Sequence, residues 1–143
     1  MSAAPQAYAG DIDVRRAWEL LKEDPKATLV DVRTKPECRY VGHPDLTALG
    51  KRPLFIEWQA YPDLALNERF ADELAAQGIA KDAPLLFLCR SGARSKAAAI
   101  LLTGLGYQRC YNVADGFEGA KDAAGHRGQA GGWKAAGLPW QQD

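Results

Sequence analysis

The chain has 143 residues, of which 47% are hydrophobic and 25% are charged, and its 18 basic residues balance its 18 acidic ones. This length and composition predict one globular domain over residues 1–143, with a core from about residue 11 to residue 140. The zero net charge disfavours broad nucleic-acid binding, and no apolar run approaches the roughly 18 residues of a membrane span.

The first half of the chain is predicted to contain one helix and two strands separated by a long loop. Asp13 is a typical helix N-cap, and the apolar residues after it recur at helical spacing until Pro25. ATLVDV, residues 27–32, is the short β-branched apolar run of a buried strand. Residues 33–53 are rich in proline, glycine and charge and are predicted to form a loop. LFIEW, residues 54–58, is predicted to be the second strand.

The second half continues the alternation of helices and strands. Asn67 is predicted to cap a helix that ends at Gly78, and the strand PLLFL, residues 84–88, follows. SKAAAILLTGLG, residues 95–106, has a strong helical pattern with a glycine stop. Cys110–Val113 is predicted to be the last strand. Strands that alternate with helices predict an α/β fold with a parallel sheet covered on both faces.

A glycine-rich tail begins at Asp115. It carries Phe117, Trp133 and Trp140. Because large aromatic side chains gain most from burial, we expect the tail to pack against the core.

The amino terminus and the cysteines predict a cytoplasmic protein. MSAAPQAYAGD has neither the basic segment nor the apolar core of a secretory signal. Cys38, Cys89 and Cys110 form no CxxC pair, and His43 and His126 offer no zinc-ligand spacing. We therefore expect reduced thiols, and we expect no metal or other cofactor.

Cys89 is the strongest candidate for a functional residue. It follows an apolar strand and precedes a helix, and sites in parallel sheets form at the carboxyl ends of strands. The backbone N–H groups of residues 90–95 can curl around the sulfur, and the helix N-terminus adds partial positive charge. Arg90 and Arg94 add full charges. These influences favour a thiolate over a thiol and predict a nucleophile.

The alternative is a buried structural cysteine, which is the commoner role of a single cysteine. Two neighbouring arginines argue against this role, since burying arginine without a partner is costly.

The chain resembles the single-domain rhodanese (thiosulfate sulfurtransferase-like) family from about Asp11 to Trp140. The residues that carry the resemblance are CRSGARS (residues 89–95), LVDVR (residues 29–33), Glu37, Gly42–His43 and NVADGFEG (residues 112–119). The resemblance implies a five-stranded parallel sheet flanked by helices on both faces, with a persulfide carried by Cys89.

The resemblance also implies the partners of the site. The backbone amides that would cradle the outer sulfur are those of Arg90, Ser91, Gly92, Ala93, Arg94 and Ser95. The donor would be thiosulfate or a related small anionic sulfur compound. The acceptor would be cyanide in an assay and a thiol or sulfur-carrier protein in the cell. No nucleic acid or membrane is implied, and the sequence leaves the oligomeric state open.

The residues fit a double-displacement reaction. A Cys89 thiolate can attack the donor without an adjacent base, which accounts for the lack of an obvious catalytic histidine. Arg90 and Arg94 would attract the donor dianion and stabilise departing sulfite. The hydroxyls of Ser91 and Ser95 can donate to substrate oxygens or the persulfide, or Ser95 can cap the helix.

Asp31 and Arg33 are expected to support the site from the end of the first long strand. Asp31 is a candidate to accept hydrogen bonds from the backbone amides of residues 89–95, which we call the active-site loop. Arg33 is a candidate to pair with Glu37. The role expected of both residues is structural.

The sequence departs from the family pattern around residues 43–63. HPDLTALGKRP, residues 43–53, stands where relatives have a short turn, and EWQAYPD places Trp58 and Tyr61 in an expected loop. This segment either lines the site entrance or covers the sheet edge. Cys38 stands where an aromatic residue is common and is a less favoured candidate for a thiol that resolves the persulfide.

Two other functions stay open at the level of sequence. Cysteine-dependent phosphatases and arsenate reductases use a loop one residue longer, Cys-x5-Arg, whereas here Ser95 occupies the position that would need arginine. A non-catalytic rhodanese-type binding or regulatory module is the second alternative, and the presence of Cys89 disfavours it.

Overall fold

The computed structural model describes residues 7–60 and 62–142 and contains a five-stranded parallel sheet. The strands are β1 (Gly10–Ile12), β2 (Thr28–Asp31), β3 (His43–Pro44), β4 (Leu54–Phe55), β5 (Gln59–Ala60), β6 (Ala65–Leu66), β7 (Leu85–Leu88), β8 (Cys110–Val113) and β9 (Trp140–Gln141). The α-helices are α1 (Val14–Glu23), α2 (Lys35–Val41), α3 (Phe70–Ala75), α4 (Ala93–Gly104) and α5 (Gly132–Ala135). A short 3-10 helix spans Thr47–Leu49.

The parallel sheet has the strand order β1-β8-β7-β2-β4. Its register pairs Val30 with Phe87 and Leu86 with Tyr111. Two antiparallel pairs, β3 with β9 and β5 with β6, lie outside this sheet. The predicted α/β fold is therefore confirmed.

Helices cover both faces of the sheet, because successive side chains of each central strand point to opposite sides. One face packs against α3 and α4, and its buried residues include Val30, Phe87, Phe70 and Leu102. The other face packs against α1, and its buried residues include Leu29, Leu86, Ala17 and Leu21. With both faces buried, β2 and β7 are the continuous apolar runs seen in the sequence.

The first helix forms as its sequence predicts. The side chain of Asp13 accepts a hydrogen bond from the N–H of Arg16 at 2.7 Å and so caps the N-terminus of α1. The helix ends at Glu23, just before Pro25.

The expectation that residues 33–53 form a loop is wrong for residues 35–41, which form α2. Thr34 and Glu37 make a reciprocal capping box, in which the Thr34 hydroxyl accepts from the Glu37 N–H and the Glu37 carboxylate accepts from the Thr34 N–H. Pro36 is tolerated because it lies in the first turn. No residue of α2 is fully buried, so the helix lacks the apolar stripe that would have marked it in the sequence.

Three smaller boundaries also differ from the expectations. The strand predicted over residues 54–58 is limited to β4. Asn67 does not cap a helix directly, since α3 begins three residues later, and its side chain accepts from the Arg69 N–H at 3.1 Å. The expected loop around Trp58 contains the β5–β6 hairpin, while Tyr61 lies outside the described residues.

The tail packs against the core, as predicted. Phe117 and Trp133 are fully buried, and the Trp133 ring meets Trp18 of α1 edge-on at 5.9 Å between centroids. Trp140 lies in β9 and pairs with Pro44 of β3. No helix in the described part of the chain is both long enough and apolar enough to cross a membrane.

Candidate active site

Cys89 lies immediately after β7, at the carboxyl edge of the sheet and only four residues before α4 begins. The residue is 1% exposed. The backbone N–H of Gly92, at the N-terminus of α4, donates to the Cys89 Sγ at 3.1 Å. The sulfur thus stands where the sequence places it, between a strand end and the positive end of a helix dipole.

Gly92 lets the loop approach the sulfur. Its φ of +110° is one that residues with a side chain rarely adopt. A Cβ at this position would lie 2.2 Å from the carbonyl oxygen of Ala114, which is backbone and cannot move aside as a flexible side chain would. Only glycine therefore fits between the active-site loop and the segment that follows β8.

That segment fixes the start of the active-site loop. The N–H of Phe117 donates to the Cys89 carbonyl at 2.8 Å, and the N–H groups of residues 118–119 donate to the Arg90 carbonyl at 3.0 and 3.1 Å. Gly116 is packed so closely against this loop that a Cβ added to it would lie 2.6 Å from the Cys89 carbonyl oxygen. The sequence offers NVADGFEG only as part of a family resemblance. In the structure, the backbone N–H groups of this segment hold the carbonyls of Cys89 and Arg90 in place.

The six loop residues predicted to bind substrate differ in exposure. Arg90, Ser91 and Ala93 are exposed, Arg94 is half-buried, and Gly92 and Ser95 are buried. Within the described contacts of Sγ, the loop amide that reaches the sulfur is that of Gly92. A cradle of several amides around an outer sulfur stays a prediction.

Arg94 is paired with a carboxylate from another helix. Its guanidinium donates to both carboxylate oxygens of Glu37, at 2.7 and 2.9 Å. Burial disfavours ionisation of Glu37, but the hydrogen bonds and charge of Arg94, together with Thr34, lower the pKa of its carboxyl to about 2. The same pair raises the pKa of Arg94. The bridge joins the active-site loop to α2.

The predicted contacts of Asp31 and Arg33 are wrong. Arg33 binds Asp31, not Glu37, with its Nε and Nη2 at 2.9 and 2.6 Å from the carboxylate oxygens. Its Nη2 also donates to the Gly42 carbonyl, and its guanidinium stacks over the Phe117 ring at 4.4 Å. No contact between Asp31 and a loop amide is found among the described residues. The buried pair instead ties β2 to α2 and to the tail, a structural role.

Two polar residues that extend the hydrogen bonds of Ser95 away from the sulfur, Asn112 and Asp11, were not singled out in the sequence. Ser95 itself lies in the first turn of α4 and does not cap the helix, because the N-cap position is Gly92. The Ser95 hydroxyl lies 3.1 Å from the Cys89 Sγ and donates to the Asn112 side-chain carbonyl at 2.6 Å. Asn112 in turn donates to Asp11 at 3.0 Å. An asparagine inside the apolar strand CYNV is a signal that could have drawn attention to this network, because a buried amide needs partners.

Cys38, the second candidate thiol, is a residue of α2. It lines a cleft of about 280 Å³ whose other lining residues are Arg33, Lys35, Arg39, His43, Phe55 and Glu57. Burial and the neighbouring Asp31 carboxylate raise the pKa of the Cys38 thiol to about 12. A thiol that stays protonated at neutral pH is a poor nucleophile, which weakens the hypothesis of a resolving role.

The segment around residues 43–63 contributes to this cleft and also supplies the edge strand β4. His43 meets Phe55 edge-on at 5.4 Å, whereas Trp58 packs inward on Phe70 at 5.1 Å. Cys110 is fully buried, as expected of a core residue, and burial raises the pKa of its thiol. Within the described residues, no group of three His, Cys, Asp or Glu side chains is arranged to hold a metal ion.

The family described as the STR4 middle domain matches residues 9–143. An uncharacterized protein of Rickettsia rickettsii is 43% identical over 129 residues, which cover 88% of this chain and 92% of the relative. The thiosulfate sulfurtransferase GlpE of Actinobacillus pleuropneumoniae is 28% identical over 129 residues and 90% of both chains.

Two solved structures share the fold. Rv0390 from M. tuberculosis is 49% identical, with a TM-score of 0.86 over 95% of this chain and 99% of that one. The polysulfide-sulfur transferase homodimer from Wolinella succinogenes is 24% identical, with a TM-score of 0.63 over 96% of this chain and 82% of that one. This chain therefore belongs to the STR4 middle domain family and has the rhodanese-like fold.

Proposed function

We propose that this protein is a thiosulfate sulfurtransferase that carries sulfur as a persulfide on Cys89. The observation on which the proposal depends is the position of the Cys89 sulfur, at a strand end, 3.1 Å from a backbone N–H at the N-terminus of α4. Such a position suits an atom that bears negative charge both before and after reaction. The similarity to GlpE, a thiosulfate sulfurtransferase, and to the polysulfide-sulfur transferase of Wolinella succinogenes also supports a sulfur-transfer reaction.

In the first half-reaction, Cys89 loses its proton to solvent and its thiolate attacks the outer sulfur of thiosulfate. A new S–S bond forms, the S–S bond of thiosulfate breaks, and sulfite leaves with the bonding electron pair. Arg90 is exposed in the loop, where it attracts the dianion and the departing sulfite. The enzyme is left as Cys89–S–S⁻, which the loop amides stabilise.

In the second half-reaction, an acceptor nucleophile attacks the outer sulfur of the persulfide. The S–S bond breaks, and its electron pair returns to the Cys89 sulfur. Cyanide as acceptor gives thiocyanate, and a thiolate gives a new persulfide. We expect the physiological acceptor to be a thiol or a sulfur-carrier protein.

Phosphatase chemistry is less well supported by the loop. Four residues separate Cys89 from Arg94, one fewer than the phosphatase loop contains. The Nη1 and Nη2 atoms of Arg94 also both donate hydrogen bonds to Glu37, so this side of the guanidinium is not free to bind an oxyanion. A shorter loop fits one sulfur atom better than a tetrahedral phosphate.

We place the activity in the cytoplasm, acting on small molecules or protein thiols and not on nucleic acid or membranes. All three cysteines are free thiols, which fits a reducing compartment.

The test is intact mass spectrometry after incubation with thiosulfate. We expect a gain of one sulfur atom at Cys89, reversed by cyanide with release of thiocyanate. Cys89→Ser should show no gain and keep the same urea midpoint as the parent. An unmodified parent protein, with no turnover of thiosulfate or of a polysulfide donor, would leave the binding-module alternative. Hydrolysis of an aryl phosphate would instead favour the phosphatase alternative.

A further inference from the structure

A line of hydrogen bonds leads from the candidate nucleophile to the edge of the sheet. The Cys89 Sγ lies 3.1 Å from the Ser95 Oγ, which donates to the Asn112 Oδ1 at 2.6 Å. The Asn112 Nδ2 donates to the Asp11 Oδ1 at 3.0 Å. The four side chains come from different elements: the end of β7, the first turn of α4, β8 and β1. The first three are buried, and Asp11 is exposed.

The direction of these bonds is set from the Asp11 end. Hydrogen bonds from Tyr8 and Asn112 lower the pKa of the Asp11 carboxyl, so it is ionised at neutral pH. An ionised carboxylate only accepts hydrogen bonds. Asn112 must therefore turn its amide nitrogen to Asp11 and its amide oxygen to Ser95, which fixes an orientation that the side-chain shape alone would not determine.

The orientation of Asn112 decides what Ser95 offers to the sulfur. A serine hydroxyl has a single proton. Because that proton is given to the Asn112 oxygen, the Ser95 Oγ presents a lone pair to Cys89. A neutral S–H can donate to this lone pair, whereas a thiolate or persulfide anion cannot. The contact therefore opposes the Gly92 N–H, which donates to the sulfur and favours its anionic forms.

We propose that Asn112, anchored by Asp11, is a positioning residue that holds the Ser95 hydroxyl proton away from Cys89 and so restrains the reactivity of the resting thiol. When the sulfur becomes anionic, the Ser95 proton has to turn from Asn112 to the sulfur, which leaves the Asn112 oxygen without its donor. The proposal shares one premise with the proposed function, that Cys89 is the reactive sulfur.

Few charged or titratable groups lie beside the network in the described part of the chain. Tyr8 and Lys96 stand beside Asp11, with the Tyr8 hydroxyl 2.8 Å from its carboxylate. Arg94 is near enough to Cys89 to interact with an anionic sulfur there, and it is itself paired with Glu37. None of these groups replaces Asn112 as the acceptor of the Ser95 proton.

The test is the rate at which iodoacetamide alkylates Cys89 between pH 5 and pH 9, about the range in which thiols ionise, read by peptide mass. In Asn112→Leu the Ser95 hydroxyl is free to donate to the sulfur. We expect alkylation at pH 7 to be about three- to tenfold faster, the effect of one hydrogen bond, and the rate profile to move toward lower pH. Adding Ser95→Ala to Asn112→Leu should abolish the increase, because the effect acts through that hydroxyl.

Cys110 is an internal control for loosening of the fold, because it is fully buried opposite the start of β7 and lies two residues before Asn112, whereas Cys89 lies at the carboxyl edge of the sheet. Acceleration at Cys89 with Cys110 still protected supports the proposal. An unchanged or slower rate at Cys89 overturns it.

If Asn112→Leu exposes Cys110 as well, the deciding variant is Asp11→Ala. Removing the carboxylate at this exposed position leaves the Asn112 amide free to flip, so Cys89 alkylation should accelerate with Cys110 still protected, whereas an unchanged rate overturns the proposal. Tyr8→Phe is the matched control, because it removes the other hydrogen bond to Asp11 and should leave the rate unchanged.

The two proposals fail separately. Faster alkylation without persulfide formation from thiosulfate would reject the proposed function and keep the role of Asn112. Persulfide formation from thiosulfate, without any effect of Asn112→Leu or Asp11→Ala on alkylation, would keep the proposed function and reject the role of Asn112.

Discussion

Arg94 donates two hydrogen bonds to Glu37, at 2.7 and 2.9 Å, and so joins the first turn of α4 to the first turn of α2. The two residues are 57 positions apart in the chain. The bridge neutralises one of the two arginines that the sequence places beside Cys89. Arg90, whose side chain has no hydrogen bond or ion pair to any described residue, is left as the cation of the loop that an anionic donor can meet.

Arg90→Ala should weaken the use of thiosulfate more than the use of an uncharged persulfide donor. A charge-assisted contact contributes about 1.5–3 kcal/mol, so kcat/KM for thiosulfate should fall about tenfold or more. The difference between donors should shrink at high salt. Arg39→Ala, which removes the same charge from the cleft beside Cys38, is the matched control and should have little effect. Equal losses for both donors would show that Arg90 only shapes the loop.

Gly92→Ala should disrupt the active-site loop. The new Cβ would lie 2.2 Å from the Ala114 carbonyl oxygen at a φ of +110°. We expect a loss of stability of at least about 2 kcal/mol, together with loss of persulfide formation. The control is Gly106→Ala, which has a φ of +99° but no atom within 4 Å of the added Cβ. Equal urea midpoints for the two variants would contradict the close contact with Ala114.

Glu37→Gln should destabilise the protein in a pH-dependent way. The folded-state pKa of Glu37, about 2, lies below the ordinary value of 4.5, so its ionised form stabilises the fold above about pH 4.5. This contribution is lost as the pH falls toward 2. We expect the variant to be less stable by about 2 kcal/mol at pH 7, a value between those of exposed and buried pairs.

The stability difference between Glu37→Gln and the parent should narrow between pH 4.5 and pH 3 in urea titrations. Glu19→Gln, which removes a carboxylate from an exposed pair with Arg16, should show a much smaller difference at every pH. A difference that stays constant from pH 7 to pH 3 would mean that the ionised Glu37–Arg94 pair is not what stabilises the fold.

Cys38→Ser should retain both persulfide formation and turnover. The pKa of about 12 keeps the Cys38 thiol protonated at neutral pH, so it cannot readily attack a persulfide. The measurement is the steady-state rate with thiosulfate and either cyanide or a small thiol. A selective loss of the thiol-dependent rate, with the persulfide accumulating on Cys89, would instead identify Cys38 as the resolving residue.

The sequence alone determined the central strands β2, β7 and β8, the helices α1 and α4, and the position of Cys89 at a strand end, whereas it did not indicate the edge strand β1. β2 and β7 are continuous apolar runs, and Asp13 caps α1 through a contact three residues away, so both signals are local. The conformation of the short loop after Cys89 is also determined locally, because its length and Gly92 limit the ways in which the backbone can turn back toward the sulfur. These features could be predicted because neighbouring residues produce them.

Only the tertiary structure decided which polar groups meet at the site. Arg94 pairs with Glu37, and Arg33 pairs with Asp31, although all four residues carry charges that are compatible with the opposite pairing. The partner of Ser95 is Asn112, which β8 brings beside α4. Pairing of charges and direction of hydrogen bonds depend on which groups packing brings together and removes from water, and residues distant in the chain determine that packing.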